Sequence, residues 1–261
     1  MFRGIRELEL DHLSRINVLI GANNSGKTSI LEAIRLMSQP YNIGTLMQVA
    51  FLRTPFTMRK IKSVEYFSTI FVKETENDGK FHYSLAFDMV IDNILYKYEA
   101  GGDVRELTDS TGESDKIFSL TIKIIQEDKK PVYIIHNIKN RSNESFESSS
   151  EPLFHGTYLH SGVSYYRSCV KLLSDSIINE QKKEILDIIA SFDPNVEDIS
   201  IVGEDIYLHN AVSGTLPLFS YGAGLQKAVL LTALLAGNQN GILLIDEIDN
   251  AINISAFQEI F

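Results

Sequence analysis

Cysteine is almost absent from this sequence, with Cys169 the single one among 261 residues. One thiol excludes a disulfide within the chain. A chain without disulfides fits a reducing compartment, so we expect a cytoplasmic protein.

Long apolar stretches are lacking as well. No run approaches the roughly 20 residues that a helix needs to span a bilayer, and the most apolar stretch, residues 228–236, contains Thr232. No apolar signal region follows the charges of the first six residues. We therefore expect no membrane span and no membrane partner.

Basic residues are outnumbered, since 24 Lys and Arg face 34 Asp and Glu and the net charge is −10. Proteins that hold DNA through its phosphates usually carry a basic excess. Two local basic runs, residues 53–62 and 123–141, are interpreted as solvated faces of a helix and a sheet. Nucleic-acid binding is neither indicated nor excluded.

The hydrophobic pattern of the chain is that of an α/β protein. Residues 5–10 and 16–20 are predicted strands, and the second is a continuous apolar run typical of a buried parallel strand. A helix with Ile30, Leu31, Ile34 and Met37 on one face follows, and Pro40 ends it.

The middle of the chain has strand patterns, and helical spacing returns afterwards. Turn signals at 101–103 and 109–112 indicate an antiparallel meander whose strands are predicted at 81–87, 94–98, 118–124 and 132–135. A serine-rich linker covers 140–151. The remaining predictions are two helices within 165–192 with an exposed junction at 181–184, strands at 199–202 and 206–208, a loop at 213–222, a helix at 225–236 and an apolar strand at 242–245.

The strongest motif spans residues 21–28, Gly-Ala-Asn-Asn-Ser-Gly-Lys-Thr, and matches G-x-x-x-x-G-K-[ST] at every fixed position. Its glycines let backbone N–H groups turn toward phosphate oxygens, and the helix N-terminus adds positive partial charge. Lys27 would neutralise the β- and γ-phosphates and Thr28 would ligate Mg²⁺, so the motif predicts ATP with Mg²⁺. The alternative is a chance glycine turn. Predicted nucleotide contacts are Gly21, Asn23, Asn24, Ser25, Gly26, Lys27, Thr28 and Ser29.

An acidic pair follows the last apolar strand. Ligands bind at the carboxyl ends of strands in open α/β sheets, so Asp246 would hold the water shell of Mg²⁺. Glu247 would polarise the attacking water as general base. The pair alone equally fits a core strand that meets solvent, and the complete phosphate loop favours the catalytic interpretation.

A third motif, Ser220-Tyr221-Gly222-Ala223-Gly224, precedes a predicted helix, a turn and the acidic strand. Here the sequence resembles ABC-type ATPases, especially the branch with SMC, RecF and OLD-like members and related anti-phage ATPases. The OLD-like, abortive-infection type of AAA ATPase shares further short motifs with this sequence, namely Asp193-Pro194-Asn195, Leu216-Pro217-Leu218 and Leu244-Ile245-Asp246-Glu247-Ile248.

The resemblance implies one ABC-type P-loop NTPase domain over residues 1–261, with an antiparallel β layer and a short helical arm. It also implies that Ser220, Gly222 and Gly224 grip the γ-phosphate held by a partner subunit, in a head-to-tail homodimer. The alternative for Ser220 is an ordinary helix cap. The expected segments are an N-terminal lobe (1–63), the β layer (64–138), a linker (139–164), the arm (165–192) and a lobe with the signature and the acidic strand (193–261).

The sequence departs from the family after the acidic pair. The family tends to read Glu-Asn-Gly-Leu-His, whereas residues 249–253 read Asp-Asn-Ala-Ile-Asn, and a switch histidine beyond a further strand is absent because the sequence ends at Phe261. We expect either a truncated C-terminus or ATP binding without a complete hydrolytic site. The functional hypotheses are an ATPase whose dimer drives an effector, a nucleotide-gated scaffold with little hydrolysis, and a RecF- or SMC-like repair ATPase, which the acidic balance disfavours.

Overall fold

The computed structural model describes residues 2–5, 7–53, 63–75, 81–108, 114–140, 151–159, 166–238 and 240–247. It divides into two compact units, Met1–Phe154 and His155–Phe261. Their boundary falls within the predicted linker, and the prediction of a single domain stays a prediction. The α/β class is confirmed, because helices accompany a mostly antiparallel set of strands.

The helices among the described residues of the first unit are α1 (Lys27–Ser38), α2 (Ile43–Phe51) and α3 (Ser63–Ser68). The predicted helix after the glycine loop is therefore confirmed as α1. The side chain of Asn42 caps α2 by accepting a hydrogen bond from the Gly44 N–H at 2.8 Å. None of the helices in the described part of the chain is long and apolar enough to cross a membrane.

The sheet of the first unit is an antiparallel meander of β1 (Val72–Thr75), β2 (Phe81–Ile91), β3 (Ile94–Thr108), β4 (Ser114–Gln126) and β5 (Val132–Lys139), paired in that order. Asp92 and Asn93 have φ of 50° and 64° between β2 and β3, the left-handed turn conformation that these residue types tolerate. The four predicted strands of the meander are confirmed as β2 to β5, each longer than predicted, whereas β1 was not predicted.

The turn predicted at residues 101–103 is wrong, because Gly101 and Gly102 lie inside β3. A Cβ at Gly102 would come within 1.9 Å of the carbonyl oxygen of Ser119, and one at Gly101 within 2.8 Å of that of Tyr83. Both glycines therefore allow close approach of the neighbouring strands. The turn predicted at 109–112 lies outside the described residues.

The core of the first unit lies between its sheet and its helices. Alternate residues of β4 (Phe118, Leu120, Ile122 and Ile124) belong to one buried cluster with Leu36 of α1 and Leu46 of α2. Each such burial contributes about 1.5–3 kcal/mol relative to exposure. The rings of Phe67 and Phe71 lie about 5 Å from that of Phe118.

The strands predicted at 5–10 and 16–20 are wrong in this structure. Residues 7–22 form no helix or strand, and Ile16, Val18 and Ile20 are exposed. A strand needs a neighbour for its N–H and C=O groups, and the described strands of the first unit pair only with one another. The amino-acid composition of residues 16–20 predicts a strand but does not show whether a partner strand is present.

The second unit contains two sheets and three helices among its described residues. In the smaller sheet, β6 (Gly156–Leu159) and β10 (Ile242–Ile245) are parallel. In the other sheet, β7 (Val196–Val202), β8 (Asp205–Asn210) and β9 (Gly214–Pro217) are antiparallel. The helices are α4 (Tyr166–Ile178), α5 (Lys182–Phe192) and α6 (Ala223–Gly237), and a single 3₁₀ turn (Leu218–Ser220) precedes α6.

Most predictions for the second unit are confirmed, including both arm helices, α6 and the strand at 242–245. Two were wrong. Residues 214–217 form β9 rather than loop, because Gly214 with φ 76° closes a tight hairpin onto β8. Residues 156–159 form β6 inside the predicted linker, because they pair with the apolar strand β10.

Helix α6 packs on α4 and α5 in the core of the second unit. Leu173 of α4, Ile189 of α5 and Val229 of α6 belong to one buried cluster. A Cβ at Gly237 would lie 2.5 Å from Leu172 Cδ2, so glycine permits the close approach of α6 and α4. This packing fixes α6, which carries the predicted signature residues at its start.

Candidate functional site

The loop that precedes α1 has the curled shape that its motif predicts. Asn24 and Gly26 have φ of 64° and 96°, in the left-handed region, and the Ser25 N–H donates to the carbonyl of Ala22 at 3.2 Å. A Cβ at Gly21 would lie 2.7 Å from Ser25 Oγ, so a larger residue there would require the Ser25 side chain to move. Residues 21–25 are exposed, which leaves the loop open to a ligand.

Lys27 lies across this loop. Its Nζ donates to the carbonyl oxygens of Gly21 at 2.7 Å and Ala22 at 2.9 Å. The loop thereby presents an ammonium group beside the N-terminus of α1, where anions are stabilised. The next residue, Thr28, is half-buried in the first turn of the helix.

Glu32 of α1 is a buried carboxylate that binds two arginines, Arg3 and Arg53. Glu32 is 0% exposed, and Arg53 binds it through Nε at 2.9 Å and Nη2 at 2.7 Å. Arg3 Nε lies 3.0 Å from the same carboxylate, and Arg3 Nη2 donates to the carbonyl of Val49. A buried carboxylate needs such partners to remain charged.

The same arginine reaches the first turn of α1. Arg53 Nη2 donates to Ser29 Oγ at 3.1 Å, and Ser29 is almost fully buried. Ser29 was predicted to contact nucleotide, and the structure places its side chain against Arg53.

The sequence predicted an apolar inner face for α1, whereas the buried side chains are Ser29, Glu32, Leu36, Met37 and Ser38. Ile30, Leu31 and Ile34 are only half-buried. The sequence did contain a signal for the ion cluster of Glu32, Arg3 and Arg53. That signal is a glutamate on the inner face of α1 with arginines in flanking segments.

In the second unit, Asp246 lies at the carboxyl end of β10. Its N–H donates to the carbonyl of Leu159 at 2.9 Å, continuing the pairing with β6, and its side chain is buried. The hydroxyl of the buried Tyr158 lies 3.5 Å from Asp246 Oδ2, at the long limit of a hydrogen bond. Sequence reasoning missed Tyr158, which lies opposite Leu244 in the register.

Glu247 differs from its neighbour in exposure and backbone. It is exposed, and its φ of 50° lies in the left-handed region, which non-glycine residues seldom adopt. Its carbonyl accepts a hydrogen bond from Lys227 Nζ at 3.0 Å. Lys227 was likewise missed, because no motif position marks it.

The predicted signature residues lie at the start of α6. Gly222 is the N-cap residue, and no side chain caps the helix. The helix-cap interpretation of Ser220 is therefore wrong. Ser220 and Gly222 are exposed, Gly224 is half-buried, and the side chain of Gln226 donates to the carbonyl of Tyr221 at 2.7 Å.

The predicted site residues fall in both compact units. Residues 21–29 lie in the first unit, and the signature residues and the acidic pair lie in the second. Within the second unit, Lys227 connects the start of α6 with Glu247. Among the residues that the structure describes, no three His, Cys, Asp or Glu side chains cluster as a metal site. Mg²⁺ bound to nucleotide needs only one or two protein ligands besides phosphates and water.

Cys169 takes no part in these sites. Its side chain is buried in the core, and burial raises the pKa of the thiol to about 12. The thiol is therefore neutral near pH 7 and packs as an apolar group.

The loop, its lysine and the helix that follows are the features of a P-loop nucleotide-binding domain. A family model described as "AAA domain, putative AbiEii toxin, Type IV TA system" matches residues 16–261. Because the match covers most of the chain, the protein belongs to this family of AAA domains. Membership indicates nucleotide binding and, in general, ATPase activity.

A curated relative matches a short part of the chain. It is an uncharacterized protein of Methanocaldococcus jannaschii, 60% identical over 35 residues. The match covers 13% of this chain and 16% of the length of that relative.

Proposed function

We propose that this chain binds ATP with Mg²⁺ and hydrolyses it as an ABC-type ATPase of the SMC, RecF and OLD-like branch. The observation that carries the proposal is the phosphate loop. Left-handed backbone at Asn24 and Gly26 turns the loop onto α1, and Lys27 lies across it. This combination of curled N–H groups, helix terminus and ammonium suits the phosphates of a nucleotide.

Nucleotide binding would use the loop as follows. Lys27 would exchange the carbonyls of Gly21 and Ala22 for β- and γ-phosphate oxygens, and the Thr28 hydroxyl would hold Mg²⁺. Backbone N–H groups of the loop surround the phosphates. The residues that we propose to contact the nucleotide, through backbone or side chain, are Gly21, Asn23, Asn24, Ser25, Gly26, Lys27, Thr28 and Ser29.

Hydrolysis would use the acidic pair. Bound ATP and Mg²⁺ supply the transferable phosphoryl group and the metal charge. Asp246 is buried at a strand end, which suits a carboxylate that holds the water shell of Mg²⁺ in one orientation. Glu247 is exposed and can reach a water molecule, so we assign it the role of general base.

A head-to-tail homodimer would complete the site. Ser220 and Gly222 are exposed beside Phe219, whose side chain is 68% exposed although it is large and apolar. An exposed aromatic beside hydrogen-bond donors is typical of a contact surface. We assign Ser220, Gly222 and Gly224 to the γ-phosphate of the partner's nucleotide.

The dimer would in turn drive an effector protein. The family description names a toxin and a type IV toxin–antitoxin system. From the resemblance to anti-phage ATPases we infer a role in anti-phage defence with an effector protein as the partner, and the toxin–antitoxin description is compatible with that role.

A nucleotide-gated scaffold with little hydrolysis is the second candidate. The observation that favours it is the sequence Asp249-Asn250-Ala251-Ile252-Asn253, which lacks the histidine expected after the acidic pair. Both candidates share ATP binding and differ in turnover.

Titration of ATP into wild type and Lys27→Ala by calorimetry tests the binding site. We expect the variant to lose ATP affinity and to keep its fold, because Lys27 is the cation that lies across the loop. Lys97→Ala is the matched control, since Lys97 lies on β3 with its side chain 45% exposed. Equal ATP affinity of wild type and Lys27→Ala would overturn the assignment.

A further inference from the structure

Two adjacent side chains of α6 form hydrogen bonds with different parts of the second unit. Gln226 Nε2 donates to the carbonyls of Tyr221 at 2.7 Å and Phe219 at 3.4 Å, in the loop before the helix. Lys227 Nζ donates to the carbonyl of Glu247 at 3.0 Å, beyond β10. The first turns of α6 therefore hold both the signature loop and the acidic strand end.

The carbonyl that Lys227 contacts belongs to a residue with an unfavourable backbone. Glu247 has φ of 50°, and a side chain in the left-handed region persists only where surrounding contacts hold it. A charged donor on a carbonyl is among the stronger hydrogen bonds in proteins. Lys227 is therefore placed to stabilise this conformation.

The two acids have separate supports. Asp246 is held through its N–H by Leu159 of β6, and its side chain lies beside Tyr158. Glu247 is held through its carbonyl by α6. Because backbone dihedrals set the direction in which a side chain leaves the chain, the support of Glu247 determines where its carboxylate points.

We propose that Lys227 is a positioning residue for the ATPase reaction, which keeps the Glu247 carboxylate in its reactive direction. This rests on the proposed role of Glu247 as general base.

The test compares Lys227→Met, which keeps the aliphatic stem, with Lys227→Arg, which keeps the charged donor. Two measurements are made on each variant, namely steady-state ATP turnover and hydrogen exchange of the Asp246 and Glu247 amides. Gln226→Met is the matched control, one residue away on the same helix and with the same replacement.

For Lys227→Met we expect exchange at the two amides to rise about tenfold, because the strand end loses its anchor. We expect kcat to fall by about 10- to 100-fold with KM for ATP nearly unchanged, because a small displacement of a reacting group has this size of effect. Lys227→Arg should restore both values. Gln226→Met should leave exchange at Asp246 and Glu247 as in wild type and weaken the nucleotide-dependent dimer.

Wild-type exchange and turnover in Lys227→Met would overturn the inference. So would equal exchange at these amides in Lys227→Met and Gln226→Met, since that would indicate general loosening of α6. If wild type shows no ATP binding, the proposed function fails, and amide exchange still decides whether Lys227 holds the strand end.

Discussion

The phosphate loop and the acidic pair at the end of β10 are both predicted to bind ATP with Mg²⁺, but they are held in place by different kinds of contact. The loop takes its shape from its own backbone, through left-handed Asn24 and Gly26 and the carbonyls that bind Lys27. The acidic end depends on distant residues, since Tyr158 lies beside Asp246 and Lys227 holds Glu247. A motif of adjacent residues can encode the first support, whereas only the fold creates the second.

The ion cluster of Glu32, Arg3 and Arg53 joins distant segments in the same unit as the phosphate loop. Glu32→Gln leaves two guanidinium groups without their buried carboxylate, and we expect the free energy of unfolding to fall by about 3–5 kcal/mol. Urea denaturation measures this. Glu65→Gln is the control, because Glu65 is 48% exposed and its contact with Lys116 Nζ is 3.6 Å. Equal losses in both variants would mean that the buried cluster contributes no more than a surface pair.

At the acidic end, Glu247→Gln separates binding from catalysis. We expect ATP affinity to be kept and turnover to fall by about 10² or more, because the amide cannot accept the proton of the attacking water. Calorimetry and a phosphate-release assay measure the two quantities. Turnover that survives in Glu247→Gln would remove this residue from the mechanism, and a wild type without turnover would favour the scaffold.

The signature loop tests whether a second copy completes the site. Ser220→Arg should block ATP-dependent dimerisation by bulk and charge, while each monomer still binds ATP, because Ser220 is exposed at the start of α6. Light scattering with and without ATP reports the dimer. Dimerisation of Ser220→Arg on ATP addition would show that residues 220–224 lie outside the contact.

Tyr158→Phe probes the weakest support and should have the smallest effect. Its hydroxyl lies 3.5 Å from Asp246 Oδ2, so we expect a loss of at most about 1 kcal/mol in the free energy of unfolding. Chemical denaturation measures this loss. A loss comparable to that of Glu32→Gln would show that Tyr158 anchors the acid.

The sequence predicted those parts of the molecule that depend on local chemistry. The glycine loop follows from its motif, and α1 and the strands of the meander follow from hydrophobic periodicity, whereas the glycines inside β3 wrongly indicated a turn. The prediction at 16–20 was wrong because an apolar run specifies a need for burial but not a partner strand.

The site residues that the sequence did not reveal belong to contacts between distant segments. In the sequence, Glu32 is an ordinary polar position of a helix. Only the fold shows that Arg3 and Arg53 bind it. Lys227 and Tyr158 are likewise defined by residues 20 and 88 positions away. Such pairings depend on the whole fold, and no short pattern encodes them.

The two glycines inside β3 also select the alignment of the central strands. A slip of β3 against β4 by two residues would keep its apolar side chains on the inner face, and is therefore the alternative that hydrophobicity alone permits. Such a slip would bring Ala100 or Val104 to the place of Gly102, where a Cβ would lie 1.9 Å from the carbonyl oxygen of Ser119. Because Gly102 has no side chain, the observed alignment of β3 with β4 fits, whereas the alignments shifted by two residues do not.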